Sequence, residues 1–266
     1  GMHTDALALA NPLSADLGLM RTSLLPGMVT ALQRNQNRQR ERVRLFEIGR
    51  SYFARAGAAP VEEERLALLL TGDKLLEQWG AKSCSVDFFD LKGDLEDVLD
   101  KHAAVEFQPG GPAWLHPGRS ARVMIDGVDS GSFGALHPLL AQRLGLEGEI
   151  FVAEIALAGV RQRSVPKAQG LSKFPSVRRD LALIVPEGLA YEQLQAAVHG
   201  TAGELLRELV LFDVYRGPGI ETGCKSFAIG LIFQDDSRTL GDAVVDQIVA
   251  SVIEQTAAQL GAQVRS

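Results

Sequence analysis

The chain has 266 residues, 46% of them apolar and 23% charged, with a net charge of −6. Those proportions belong to a folded globular protein with room for one large core or two ordinary ones, and they exclude a mainly disordered chain. No run approaches the roughly 18 apolar residues of a membrane-spanning helix, and 27 glycines spread over the whole length exclude a coiled coil. The acidic balance excludes a chain that grips nucleic acid through a general positive excess, so any such role must rest on a local patch.

The first apolar periodicity, Leu24, Leu25, Met28, Val29 and Leu32, has helical offsets, with Pro26 in the first turn. The helix then turns polar through Arg34, Arg38, Arg40, Arg42 and Arg44. A strand is expected over 43–48, with Gly49 as a turn into Ser51, Tyr52 and Phe53. Glu62, Glu63 and Glu64 after Pro60 read as a loop, and 66–70 as a short buried strand. Helical spacing returns at Phe88, Leu91, Leu95, Val98 and Leu99, with Asp87 as its cap and Asp90 in its first turn. A short strand over 105–107 precedes a hairpin of 120–125 and 128–136 around Asp126-Gly127, a pair suited to the positive φ angles of a type I′ turn. His137-Pro138 opens a short helix that Gly145 closes, and 150–157 alternates as a strand.

Residues 158–172, with Pro166 and Gly170, read as a linker. Beyond it come a strand over 180–185, a helix over 191–199, and strands over 209–215 and 226–233. A long helix over 242–260 carries Val245, Ile248, Val249 and Val252 on one face and ends at Gly261, and 262–265 adds an edge strand. The order βαββαβ is the ferredoxin-like split unit. Pattern alone therefore gives an α+β protein of two domains, joined near residue 165.

Metal and nucleophile chemistry find little support. His3, His102, His116, His137 and His199 form no i, i+4 pair, and no Cys-x-x-Cys exists. His116 and His137 precede proline and read as turn or helix-entry residues. No Gly-x-Ser-x-Gly elbow and no phosphate-binding loop occurs. Gly217-Pro218-Gly219 is a tight turn whose proline removes one donor a phosphate nest would use. Asp87 with Asp90 and Asp94 with Asp97 are helix-spaced carboxylates of solvated faces or first turns, and Arg238 neutralises Asp235-Asp236. Cys84 and Cys224 form neither a disulfide framework nor a zinc site and fit a reducing compartment, so a cytoplasmic location is expected. The N-terminus shows no basic-then-apolar leader, and Gly1 before Met2 reads as a cleavage scar.

The cations are more informative. The run from Arg34 to Arg44 is either a solvated helix and turn or a contact surface for RNA phosphates or an acidic partner chain. Lys173, Arg178 and Arg179 stand at the entrance to the last domain's first strand, and Tyr215, Arg216, Lys225 and Arg238 on its loops or strand ends. A ferredoxin-like sheet with one face uncovered presents an aromatic and several cations to a single-stranded loop. Arg178 and Arg179 are consecutive in a strand and face opposite sides, so only one of them meets such a ligand.

Several stretches resemble the beta subunit of bacterial phenylalanyl-tRNA synthetase. They are Asn11-Pro12-Leu13-Ser14, Met20-Arg21-Thr22-Ser23-Leu24-Leu25-Pro26-Gly27, Leu45-Phe46-Glu47-Ile48-Gly49, Asp87-Phe88-Phe89-Asp90-Leu91-Lys92-Gly93, His116-Pro117-Gly118-Arg119-Ser120-Ala121 and Gly134-Ala135-Leu136-His137-Pro138. Lys173-Phe174-Pro175-Ser176-Val177-Arg178-Arg179-Asp180, Leu211-Phe212-Asp213-Val214-Tyr215, Lys225-Ser226 and Arg238-Thr239-Leu240 resemble that family's ferredoxin-fold anticodon-binding domain. The resemblance implies a C-terminal piece of a longer chain. Residues 2–164 would form a catalytic-like module, a class II synthetase-like antiparallel sheet with flanking helices, lacking its start. Residues 165–266 would form the anticodon-binding domain.

In the family the beta module supports an alpha subunit that binds phenylalanine and ATP, in an (αβ)₂ assembly. Where class II cores close their ATP site with an arginine, the segment from Gly131 to Pro138 offers none, and a lost cation at a triphosphate is severe for catalysis. The resemblance thus implies no catalytic residue, metal or cofactor in this piece, with ATP and Mg confined to the holoenzyme. It implies tRNA(Phe) as the RNA partner, contacted by Lys173, Arg178, Arg179, Tyr215, Lys225 and Arg238, and no membrane partner. A subunit-interaction scaffold without RNA contact and a cryptic small-ligand enzyme are the competing readings.

Overall fold

The computed structural model describes residues 6–14, 18–55, 57–99, 105–158, 160 and 172–265. The chain divides into two units, Gly1–Pro166 and Lys167–Ser266. The expected joint at 164–165 and most of the expected linker lie outside the described residues, as do His3 and His102.

Unit 1 comprises α1 (Leu25–Gln36), β1 (Val43–Phe53), β2 (Val61–Thr71), α2 (Phe88–Leu99), β3 (Val105–Pro109), β4 (Leu115–Ile125), β5 (Val128–Leu136), α3 (Pro138–Arg143) and β6 (Ile150–Ala156). Its strands form one antiparallel sheet in the order β1-β2-β6-β5-β4-β3. Leu66, Leu70, Phe133, Phe151 and Ile155 pack with Leu91 and Leu95 of α2 on one face. Ala67, Leu69, Ile150 and Val152 pack with α1 on the other. The central strand β6 is therefore covered on both sides and buried at six successive positions, where sequence reading expects alternation.

Two loops expected from sequence are strand. Gly49 continues β1 opposite Arg65, and Glu62, Glu63 and Glu64 pair with Tyr52, Ser51 and Arg50. Opposite charges stabilise this stretch: Arg50 pairs with Glu62 across the strands, and Arg65 with Glu63 along β2 at 2.5 Å. Glycine suits position 49 because the Arg21 guanidinium lies where a side chain would project.

Capping behaves as expected. Asp87 Oδ1 accepts from the N–H groups of Phe89 (2.8 Å) and Asp90 (3.1 Å), and Asp90 Oδ2 accepts from the Asp87 N–H at 2.7 Å. This reciprocal box satisfies donors that begin α2. Burial pushes the Asp87 carboxyl up, but the amide donors of Asp90 and Phe89 and the Lys74 ammonium outweigh it and hold it below 3.8. Its stabilisation is therefore complete above that value and is lost as pH falls through the lower, folded one. Asp87→Ala is expected to cost about 1 kcal/mol in unit 1. In thermal melts the difference from the parent chain should shrink as the pH is taken below 3.8 and on through the lower, folded value.

The Asp126-Gly127 hairpin has φ of 51° and 76° at its two central residues, as a type I′ turn requires. His137 caps α3, its Nδ1 accepting from the Leu139 N–H at 3.2 Å, and Gly145 follows with φ 63°.

Unit 2 runs β7 (Val177–Pro186), α4 (Tyr191–Ala202), β8 (Leu206–Tyr215), β9 (Cys224–Phe233), α5 (Asp242–Leu260) and β10 (Gln263–Val264). The sheet order is β10-β7-β9-β8, all neighbours antiparallel, which is the βαββαβ ferredoxin-like arrangement. Leu194 and Val198 of α4 and Val245 and Val252 of α5 join Leu183, Phe227, Ile229 and Phe233 in one core, so both helices cover the same face. Gly261 ends α5 in the left-handed conformation (φ 66°, ψ 23°). No helix among the described residues is long and apolar enough to cross a membrane.

Candidate nucleic-acid interface

Strand parity decides which side chains reach the uncovered face of the unit 2 sheet. Leu183 and Val185 on β7 and Phe227, Ile229 and Leu231 on β9 enter the helix-covered core. Their alternates, among them Arg178, Asp180, Ser226, Ala228 and Gly230, form the open face. On β8, Leu209 and Leu211 stand beside core residues Leu231 and Ile229. A bulge between Leu211 and Asp213 then shifts the register, so that Asp213 and Tyr215 stand opposite Ala228 and Ser226 on the open face. Without that extra residue both would point toward the helices.

Two cation–aromatic pairs result. The Arg265 guanidinium lies 4.7 Å from the Tyr215 ring centroid. Arg265 follows β10, and its N–H donates to Ala182 at 2.8 Å, which puts it in phase with the open face. Tyr215 is held in turn by its hydroxyl, which donates to the Pro218 carbonyl at 3.1 Å. The second pair is Arg178 over Phe212 at 5.5 Å, with Phe212 51% exposed. Asp180 accepts from Arg178 Nε at 2.7 Å. The centre between the pairs is low: Ser226, Ala228 and Gly230 carry little or no side chain. Planar cations and aromatics around such a floor suit unpaired bases and their phosphates.

Of the six residues expected from sequence, Arg178 and Tyr215 meet on this face. Lys173 is exposed and has no ion-pair partner among the described residues. Arg179 is turned to the helix side, where it binds Asp242 at 2.6 Å and Asp246 at 3.0 Å in the first turns of α5. Those two hydrogen bonds, Asp242 first, raise its pKa further. Lys225 is also on the helix side, buried at 8% exposure, its Nζ donating to the Glu187 carbonyl at 2.7 Å and lying 4.9 Å from the Phe227 ring centroid. Arg238 pairs with Asp235 at 3.1 Å within its own loop. Ser237, by side chain and then backbone, and Arg238 together hold the Asp235 carboxyl low. Arg179 and Lys225 thus do not belong to the open face, because they are in phase with Leu181 and Phe227.

Sequence reading missed Arg265 and Phe212. Arg265 carried a signal, since a strand over 262–265 places it in phase with Gln263. Phe212 carried only a parity signal: it alternates with Leu209 and Leu211, but inside the apolar run 209–212 either face of the strand reads as core.

In unit 1, Arg34, Arg38, Arg40 and Arg44 are exposed without ion pairs among the described residues. Arg42 differs, donating to the Asp73 and Lys74 carbonyls at 3.0 and 3.2 Å. Among the described residues no three His, Cys, Asp or Glu side chains cluster as metal ligands. His116 Nδ1 accepts from the Gly118 N–H at 3.1 Å, a turn role like that of His137.

Comparison with known proteins gives this geometry its family. Residues 1–157 match the model of the phenylalanyl-tRNA synthetase beta chain CLM domain. Residues 172–265 match that of the ferredoxin-fold anticodon binding domain. The chain is 49% identical over 255 residues to the phenylalanine–tRNA ligase beta subunit of Xylella fastidiosa (strain Temecula1), covering 95% of this chain and 32% of that one. It is 48% identical over 261 residues to the beta subunit of Xanthomonas axonopodis pv. citri, covering 97% and 33%. It therefore spans about a third of the length of these curated relatives. Among solved structures, pyrrolysyl-tRNA synthetase from Desulfitobacterium hafniense superposes with a TM-score of 0.45 at 16% identity, over 60% of this chain and 53% of that one. The chain belongs to the phenylalanyl-tRNA synthetase beta chain family, with a CLM domain followed by a ferredoxin-fold anticodon-binding domain.

Proposed function

We propose that the chain serves a phenylalanine–tRNA ligase in two ways. The open sheet face of unit 2 takes the anticodon loop of tRNA(Phe), and unit 1 supports the catalytic alpha subunit in an (αβ)₂ assembly. The observation that carries the RNA role is the Tyr215–Arg265 pair, a ring and a guanidinium 4.7 Å apart on the sheet face opposite α4 and α5. Arg178 and Lys173 supply further charge for phosphates. Arg179 has a different task, bracing α5 against β7 through Asp242 and Asp246.

Amino-acid activation falls to the partner. In unit 1 the stretch from Gly131 to Pro138 is strand and helix entry with no guanidinium, and His137 Nδ1 is engaged by the Leu139 N–H. These residues do not fit a triphosphate and its magnesium, so no step of the chemistry is assigned to them.

The test is binding of the tRNA(Phe) anticodon stem-loop to the chain over a salt series. Tyr215→Ala and Arg265→Ala should each weaken binding about 5- to 100-fold, the range of a lost base stack. Arg178→Glu should lower the salt slope by about one. Arg179→Ala should stay within about twofold of the parent, as expected away from the contact surface. The rival scaffold reading draws on Asp180, which occupies Arg178 Nε at 2.7 Å, and it requires affinity indifferent to Tyr215 and Arg265. Phenylalanine-dependent ATP–pyrophosphate exchange by the chain alone would instead establish the small-ligand enzyme.

A further inference from the structure

Gly230 sits where no backbone need explains it. It is an interior residue of β9, opposite Asp180 on β7 and Val210 on β8, and glycine weakens a strand interior. What requires glycine is the side chain above it. A Cβ at position 230 would meet the Arg178 guanidinium nitrogen Nη2 at 2.9 Å and its carbon at 3.1 Å. Arg178 starts on β7, passes over β9 at this point and reaches Phe212 on β8, 5.5 Å from the ring centroid. Asp180 fixes its Nε at 2.7 Å, which holds the plane of the guanidinium while its terminal nitrogens stay available. Half of Phe212 remains exposed.

Tyr215 stands opposite Ser226, and Gly230 is four residues further along the same strand, a separation of about 13 Å at the rise of a strand. One base cannot lie on both aromatic pairs.

We propose that Phe212 and Arg178, seated over Gly230, form a second stacking platform for an unpaired nucleobase, separate from the one at Tyr215 and Arg265. Gly230 is a positioning residue that acts through Arg178. This inference rests on the RNA reading of the open face given above.

The experiment uses the chain with the tRNA(Phe) anticodon stem-loop, intact and with single abasic positions through the loop. Gly230→Ala should weaken binding about three- to tenfold while the thermal midpoint holds, since only the flexible end of Arg178 has to move. Added to Arg178→Ala it should weaken binding no further. Phe212→Ala should cost about tenfold, with Phe212→Trp restoring affinity. The Phe212→Ala loss should vanish at one abasic position and the Tyr215→Ala loss at a different one. Gly230→Ala binding like the parent overturns the proposal, as does coupling of both aromatics to the same abasic position. If Tyr215→Ala weakens binding and Phe212→Ala does not, the second platform falls and the RNA reading stands. If the intact stem-loop fails to bind, both fall.

Discussion

Glu154→Ala lowers the stability of unit 1 by about 3 kcal/mol, the largest loss expected from any polar substitution in the chain. Glu154 projects from β6 into the α1 side of the sheet at 5% exposure. Its carboxylate accepts from the Leu24 N–H at 2.6 Å and the Ser23 hydroxyl at 2.9 Å, and it meets Arg65 Nη1 at 3.3 Å. Leu24 is the N-cap of α1 and has no side-chain cap of its own. A strand 130 residues away in sequence therefore supplies the anion that a helix N-terminus favours. Removing it leaves a fully buried N–H without its acceptor, a half-buried arginine without one of its carboxylates, and a void. Calorimetry should show the unit 1 transition falling by about 6–12 °C, at ~2–4 °C per kcal/mol for a unit of this size, while the unit 2 transition stays. Glu154→Gln keeps an acceptor for Leu24 and should recover about half the loss. Equal stability of Glu154→Ala and the parent would show that α1 is held by apolar packing alone.

That network was invisible in the sequence, where Glu154 is one acid inside an apolar strand and its partners lie at residues 23, 24 and 65. Features with local causes were legible. Asp126-Gly127 carries its turn in two residues, Asp87 and Asp90 cap the helix they precede, and α5 shows its valines at helical spacing with Gly261 behind them. Features set by neighbouring strands were not. Gly49 and Glu62 to Glu64 resemble loop residues, but ladder pairing and cross-strand charges make them strand. The open face was half legible. Parity along β7 and β9 already separates Arg178 from Arg179 and puts Lys225 in phase with Phe227. The bulge that turns Asp213 and Tyr215 to the open face has no signature in 209–214. Arg265 lies fifty residues from the ring it covers, so the pair exists only once the sheet order β10-β7-β9-β8 is known.

Charge placed on β1 should abolish docking of the alpha subunit under the function proposed above. The side of β1 that faces α2's layer is uncovered: Phe46 is 74% exposed and Ile48 58%. They border an apolar groove completed by Leu66, Leu68, Leu70 and Val98, with Asp94 and Asp97 at its edge. Large apolar side chains left in water beside a groove mark a surface meant to be covered, and among the described residues nothing covers Phe46 and Ile48. Phe46→Asp with Ile48→Asp changes exposed positions, so the chain alone should unfold within about 1 kcal/mol of the parent. In a complex the same two carboxylates would be carried out of water next to Asp94 and Asp97, without partners. Loss of a central aromatic anchor alone costs about 2–4 kcal/mol at an interface, and unpaired buried charge adds to it. Affinity for the alpha subunit should fall at least about 100-fold, measured by sedimentation or co-purification. RNA binding through unit 2 should not change. A double variant that still assembles with the alpha subunit at parental affinity would place the contact elsewhere on unit 1, with the exposed arginines between Arg34 and Arg44 as the next surface to reverse.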